Sequence, residues 1–197
     1  YLGALRKICD DNGWLFMLDE VQSGIGRTGT WFEHQHTAIK PDVMTLAKGL
    51  GSGVPIGACL ARGAAAELFK PGNHGSTFGG SPLACTAALT TLQAIEDEGL
   101  RENASRIGQF IVNSFKQAFA GMAGVTQVRG HGLMIGIELD RPCTDLVKRA
   151  LAQGFIINVT SDKVIRLVPP LIMNEQEASQ LIAGVVPLVK EFLAQAV

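Results

Sequence analysis

The apolar positions alternate between helical stripes and short continuous runs. Leu2, Leu5 and Ile8 recur at helical spacing over residues 1–12, and Asn12-Gly13 is a helix-stop signal. Residues 14–18 then form an unbroken apolar run, the pattern of a strand covered on both faces in a parallel sheet. Asp19 and Glu20 stand where that strand ends. A Gly-rich stretch over 23–29 and a polar segment lead to Pro41, and residues 42–47 predict a second strand ending at Lys48. After a glycine loop over 49–53, residues 56–61 predict a third strand and 64–69 a short helix. A third Gly-rich loop spans 71–80, and Pro82 opens a long helix at the first helical position, where a proline removes no hydrogen bond.

The pattern changes near Gly99. Residues 100–120 read as an amphipathic helix, and 125–129 and 133–139 as strands joined through Gly130-His131-Gly132. Residues 143–152 read as helix, and 155–159 and 164–168 as strands. Asn174-x-x-Glu177 has the form of a capping box for a last helix. The whole predicts an α/β part up to about residue 98 and a smaller α+β part over 99–197. The chain begins at Tyr1, inside a helix that reads as already in progress, so the expectation is of a chain entered in mid-domain.

Composition narrows the function classes. With 47% hydrophobic and 18% charged residues, the chain can bury a sizeable core. A net charge of -1 with no basic run gives no footprint for nucleic acid or an anionic membrane. The uncharged stretch over 75–95 holds Pro82, glycines and hydroxyl residues, and suits a packed helix better than a membrane span. Cys9, Cys59, Cys85 and Cys143 are widely spaced, which fits reduced thiols in the cytoplasm better than a disulfide framework. His34 and His36 lack a nearby third ligand, so they read as loop residues and no metal is expected.

Open α/β sheets bind ligands beyond the ends of their strands; three groups are candidates there, and Arg166, within a strand, is a fourth. Lys48, between small residues, could serve as an amine nucleophile if partly desolvated, or be a surface lysine beside a turn. Asp19 could be a strand-end cap or ion-pair partner. Paired with Lys48, it matches the two groups that pyridoxal phosphate (PLP) chemistry requires: a Schiff-base lysine, and a carboxylate that keeps the pyridine nitrogen protonated. Residues 75–80 offer backbone N–H groups and the hydroxyls of Ser76 and Thr77 ahead of a helix, a phosphate cradle or an ordinary N-cap turn. Strict alternation puts Arg166 on one face with Val164 and Val168, where it could grip a substrate carboxylate or form a structural ion pair.

Three segments resemble the class III, ornithine-type, PLP-dependent aminotransferases: Leu18-Asp19-Glu20-Val21-Gln22-Ser23-Gly24-Ile25-Gly26-Arg27-Thr28-Gly29, Pro41 through Leu50 around Lys48, and Ser76-Thr77-Phe78-Gly79-Gly80-Ser81-Pro82. Arg129-Gly130-His131-Gly132 and Arg166-Leu167-Val168-Pro169-Pro170-Leu171 extend the likeness over nearly the whole chain, as the C-terminal half of such an enzyme. The resemblance implies fold type I, with residues 1–98 completing a mainly parallel large-domain sheet and 99–197 forming the small domain. It implies Lys48 as the Schiff-base lysine and Asp19 on the pyridine nitrogen. Glu20, Val21 and Gln22 would line the cofactor, Val21 on its ring face and Gln22 at the ring hydroxyl oxygen. In a homodimer, Thr77 would bind the neighbouring subunit's cofactor phosphate and Ser76 would lie at its substrate. Arg166 would take the α-carboxylate. Within the family the likeness is to enzymes that pass the terminal amino group of N-acetylornithine to 2-oxoglutarate in arginine biosynthesis; succinylornithine, ornithine and 4-aminobutyrate are the alternative donors. The family's other half supplies a phosphate loop, a stacking aromatic and an acyl-gripping arginine, so the chain alone is expected to be inactive and poorly folded.

Two rivals belong to other classes. Gly24-Ile25-Gly26-Arg27-Thr28-Gly29 has the GxGxxG form of a dinucleotide site, but five residues separate it from the strand and Pro41 follows too soon for the required helix. A non-catalytic homologue is the other, and the intact Asp19, Gln22, Lys48 and Thr77 set argues against it.

Overall fold

The computed structural model describes residues 1–195. They fall into two compact units, Tyr1–Arg101 and Glu102–Val197. Among the described residues no helix is long and apolar enough to cross a membrane.

The first unit opens with α1, Leu2–Asn12, which ends where Gly13 adopts φ 65 and its N–H turns back to the Asp10 carbonyl, a left-handed step that glycine makes without a Cβ clash. Strand β1, Met17–Asp19, runs parallel to β2, Val43–Leu46, and β3, Ala58–Ala61, runs antiparallel to β2. The three strands have the order β1-β2-β3, one parallel and one antiparallel pair, in an α/β unit as the sequence predicted. The sheet is shorter than predicted. Trp14 and Leu15 are exposed, and the Phe16 N–H is taken by the Asp42 carboxylate at 2.8 Å, so the ladder begins only at Met17. The predicted helix over 64–69 is a 3₁₀ turn, Gly63–Glu67. Helix α2, Pro82–Asp97, starts as expected, with Ser81 as N-cap accepting from the Ala84 N–H. Phe16, Val43, Met44, Leu46, Leu50, Ala84, Ala88 and Ile95 are the buried apolar side chains that support this arrangement. Met17, Leu60, Phe69, Phe78 and Leu83 stay exposed.

Asp42 is the polar joint of this unit. Its Oδ2 accepts from Arg6 Nη1 of α1 at 2.6 Å as well as from Phe16. The Arg6 hydrogen bond, and then the Phe16 N–H, hold the carboxyl below its ordinary value of 3.8. A carboxylate with a lowered folded-state pKa contributes stability above the unfolded-state pKa and loses it as pH falls through the folded one. Asp42→Asn is thus expected to lower the unfolding temperature by several degrees at pH 7, with the gap to wild type closing as pH falls below about 4. Thermal melts of both proteins across pH check this; a gap that stays constant into acid would refute it.

The second unit is an antiparallel sheet in the order β4-β5-β7-β6, built from Val125–His131, Met134–Leu139, Val164–Leu167 and Asn158–Thr160. It packs with α3 (Leu100–Ala118), α4 (Leu146–Ala152) and α5 (Glu175–Ala194). One core joins them: Ile107, Ile111 and Phe115 of α3, Ile135, Ile137 and Leu139 of β5, Ile165 and Leu167 of β7, and Val185 and Val189 of α5. The alternation in β5 and β7 places Ile135, Ile137, Leu139, Ile165 and Leu167 on this one face. The capping box at Asn174 and Glu177 forms in both directions. Strand β6 starts later than predicted: the chain turns at Gly154, φ 83, and pairing begins only at Asn158. Cys143 is fully buried in this core, and burial pushes its thiol up to about 11.

Candidate active site

The site begins at the ends of β1 and β2. Asp19 pairs in register with Thr45, and the Glu20 N–H donates to the Thr45 carbonyl at 3.0 Å, which carries the ladder one step past the strand. Asp19 stays exposed. Its Oδ1 accepts from the Val21 N–H at 2.9 Å, with Thr45 Oγ1 at 3.5 Å. The carboxylate is thereby aimed by its own turn, an Asx turn that the Asp-Glu-Val order makes possible. Val21 and Gln22 follow, both half-buried.

Lys48 lies just beyond the end of the neighbouring strand, at the start of a 3₁₀ turn, Lys48–Gly51. Its φ is 46, a left-handed conformation that costs a side chain of this kind on the order of 1 kcal/mol. The side chain is exposed in this chain, so the desolvation expected from its small neighbours is absent here. Helix α2 packs against the Lys48–Gly51 turn. Ahead of that helix, residues 75–80 make a turn closed by the Gly79 N–H donating to Ser76 Oγ at 2.9 Å, and Ser76 and Thr77 are exposed. An added Cβ would meet nothing within 4 Å at Gly75 or Gly80, so the turn is open to a ligand's approach.

Glu20 differs from its neighbours. It is buried, and its two oxygens accept from Ser23, Glu33 and His34, so its carboxylate is engaged within the loop. Arg166 belongs to the second unit, on β7 between its register partners Gly136 and Asn158. It is half-buried and lies on the face opposite Ile165 and Leu167, which enter the core; of its two face-mates, Val164 is buried and Val168 exposed. Asp19, Glu20, Val21, Gln22, Lys48, Ser76 and Thr77 all belong to the first unit, and Arg166 to the other.

The dinucleotide reading does not survive this geometry. Residues 21–30 run through successive turns and no α-helix follows Gly29, so the GxGxxG motif has no helix N-terminus to offer a pyrophosphate. The His34 and His36 rings are both engaged in the loop, His34 Nδ1 with Glu20 at 3.2 Å and His36 Nε2 with the Thr28 carbonyl at 3.0 Å. Sequence reasoning passed over Thr45, Ser23 and Ile25. Thr45 could have been found as the residue paired with Asp19; Ile25 could not, since nothing in its type points to the left-handed φ of 55 that it adopts.

A carboxylate and a primary amine at adjoining strand ends fit a ligand that has a basic ring nitrogen and an aldehyde, and the open glycine turn ahead of α2 fits a phosphate. Known proteins point the same way. The aminotransferase class-III family model matches residues 1–188. The acetylornithine aminotransferase of Nitrosomonas europaea is 60% identical over 193 residues, 98% of this chain and 49% of that protein. Acetylornithine aminotransferase 1 of Bordetella parapertussis is 57% identical over 195 residues, covering 99% and 50%. Among solved structures, the Toxoplasma gondii ornithine aminotransferase crystallised with oxidised glutathione, which has partial PLP occupancy at its active site, aligns with a TM-score of 0.89 and 32% identity over 95% of this chain and 45% of that one. The chain spans about half the length of the curated relatives it matches. It belongs to the class-III aminotransferases.

Proposed function

We propose that the protein containing this chain is a PLP-dependent aminotransferase of the cytoplasm that transfers the terminal amino group of N-acetylornithine to 2-oxoglutarate by a ping-pong route, as a step of arginine biosynthesis. The observation that carries this reading is the placement of Asp19 and Lys48 at the ends of adjoining parallel strands, within a chain 60% identical to an acetylornithine aminotransferase. Residues 1–98 belong to the cofactor-binding domain in this reading and 99–197 to the smaller one.

PLP, when bound, supplies an electron sink for the carbanion formed at the substrate carbon. Lys48 Nζ would hold the cofactor and serve as the base that moves the substrate proton. Asp19 would accept from the protonated pyridine nitrogen, its Oδ1 fixed by the Val21 N–H. Val21 would line the ring and Gln22 would serve its hydroxyl oxygen. Thr77 would hold a phosphate and Ser76 would face a substrate, both in the neighbouring subunit of a homodimer. Arg166 grips the α-carboxylate with its planar fork of donors.

The test uses the full-length protein. Its visible spectrum is recorded, the sample is reduced with borohydride and digested, and the modified residue is read by mass spectrometry. A phosphopyridoxyl group on Lys48, followed by highest kcat/KM for N-acetylornithine in a panel with succinylornithine, ornithine and 4-aminobutyrate, is the expected result. An unmodified Lys48 with PLP supplied would overturn the reading and leave a non-catalytic homologue.

A further inference from the structure

We propose that Glu20 is a positioning residue, whose buried carboxylate ties the loop after β1 to the strand ends and, through Ile25, holds the Lys48–Gly49 peptide in place. Glu20 is 3% exposed, and with Thr28 it makes up the buried polar side chains found among the described residues. Oε2 accepts from Ser23 Oγ at 2.6 Å and the Glu33 N–H at 3.0 Å, and Oε1 from the His34 N–H at 2.9 Å, with His34 Nδ1 at 3.2 Å. Since Oε1 is an acceptor, Nδ1 is the protonated nitrogen of that ring. The backbone of Glu20 is committed too: its N–H goes to Thr45 on β2 and its carbonyl accepts from the Gly24 N–H at 2.9 Å. One residue therefore joins the end of β2, the tight turn at 20–24 and the turn at 33–34.

The loop so tied carries Val21 and Gln22 at one end and Ile25 in its middle. Ile25 is buried with φ 55, a conformation that a β-branched residue keeps only where its surroundings impose it. Its side chain lies under Gly49: a Cβ added there would touch Ile25 Cβ at 3.7 Å and Cγ2 at 3.8 Å. Gly49 follows Lys48, itself at φ 46. Ile25 thus lies against the residue that follows Lys48, and the buried carboxylate anchors the loop that carries Ile25. A neutral amide at position 20 would turn an NH2 toward groups that are themselves donors, so even an isosteric change undoes the tie.

This inference rests on the aminotransferase reading, and its test separates the two. In the full-length holoenzyme, Glu20→Gln is compared with a control such as Val185→Ala in the second unit's core, chosen for an equal loss of thermal stability. The readouts are the pH midpoint of the visible band of cofactor bonded to Lys48, and kcat and KM for the amino donor. Glu20→Gln is expected to move the midpoint by about one pH unit and to lower kcat by about tenfold to a hundredfold, with KM within about twofold, while the control moves neither. Ser23→Ala, which removes one of the donors, is expected to act in the same direction and less, and serves if Glu20→Gln does not fold. Equal behaviour of these variants and the control would overturn the positioning role while leaving the aminotransferase reading intact. A parent protein with no such band would overturn both.

Discussion

Replacing Lys48 with alanine in the full-length protein is expected to lower transamination turnover by about four orders of magnitude or more, since in the proposed mechanism one side chain would supply both the covalent attachment and the proton transfer. The same change is expected to leave the unfolding free energy of the apo-protein within about 0.5 kcal/mol of wild type, because the side chain is exposed and alanine bears the same left-handed backbone. Lys48→Gly isolates that backbone. It is equally inactive, yet it relieves a φ of 46 and is expected to be more stable than the alanine variant by about 1 kcal/mol. The two variants together show whether strain at Lys48 is held for chemistry. Single-turnover assays and urea unfolding measure the pair. Residual turnover within about a hundredfold of wild type would remove Lys48 from the centre of the reaction, and equal stability of the two variants would remove the strain.

The elements that local chemistry dictates were legible in the sequence, and the elements that distant partners dictate were not. Pro82 and the Asn174-x-x-Glu177 box start their helices as read, because a cap is settled within four residues. The end of α1 at Gly13 is of the same kind. By contrast, residues 14–16 read as strand from their apolar run, but the Phe16 N–H is claimed by an aspartate 26 positions away, which no periodicity registers. Asp19 and Lys48 were legible as neighbours because a strand end is visible, with a polar residue at or just beyond the end of each strand. Glu20 was placed with them by the family resemblance. Its actual partners are Ser23, Glu33 and His34, and the burial that decides its role is a property of the folded loop. Arg166 was legible as a register position, and alternation placed it correctly opposite the core residues Ile165 and Leu167.

Gly108→Ala is expected to destabilise the second unit by about 3 kcal/mol, against the usual sign for a helix. Gly108 sits within α3, where exchanging glycine for alanine ordinarily gains about 1 kcal/mol by reducing the freedom of the unfolded chain. Here the added Cβ would lie 2.8 Å from Gly132 Cα and closer still to the Gly132 carbonyl, in the turn between β4 and β5. The obstacle is backbone, so no rotamer can yield, and either the helix or the hairpin must move. Gly130, near the end of β4, is also close to the helix, with Val112 Cγ2 of α3 at 2.9 Å from where its Cβ would stand. The Gly130-His131-Gly132 segment that reads as a simple turn signal is thus also the surface on which α3 rests, and helix and hairpin approach each other through glycines on both sides. Gly3→Ala in α1 is the matched control, because a Cβ there meets nothing within 4 Å and the ordinary gain applies. Urea or thermal unfolding of the two variants should therefore diverge in sign, Gly3→Ala rising slightly and Gly108→Ala falling by a large step. A Gly108→Ala protein as stable as wild type would mean that α3 does not rest on the hairpin turn as closely as the backbone places it.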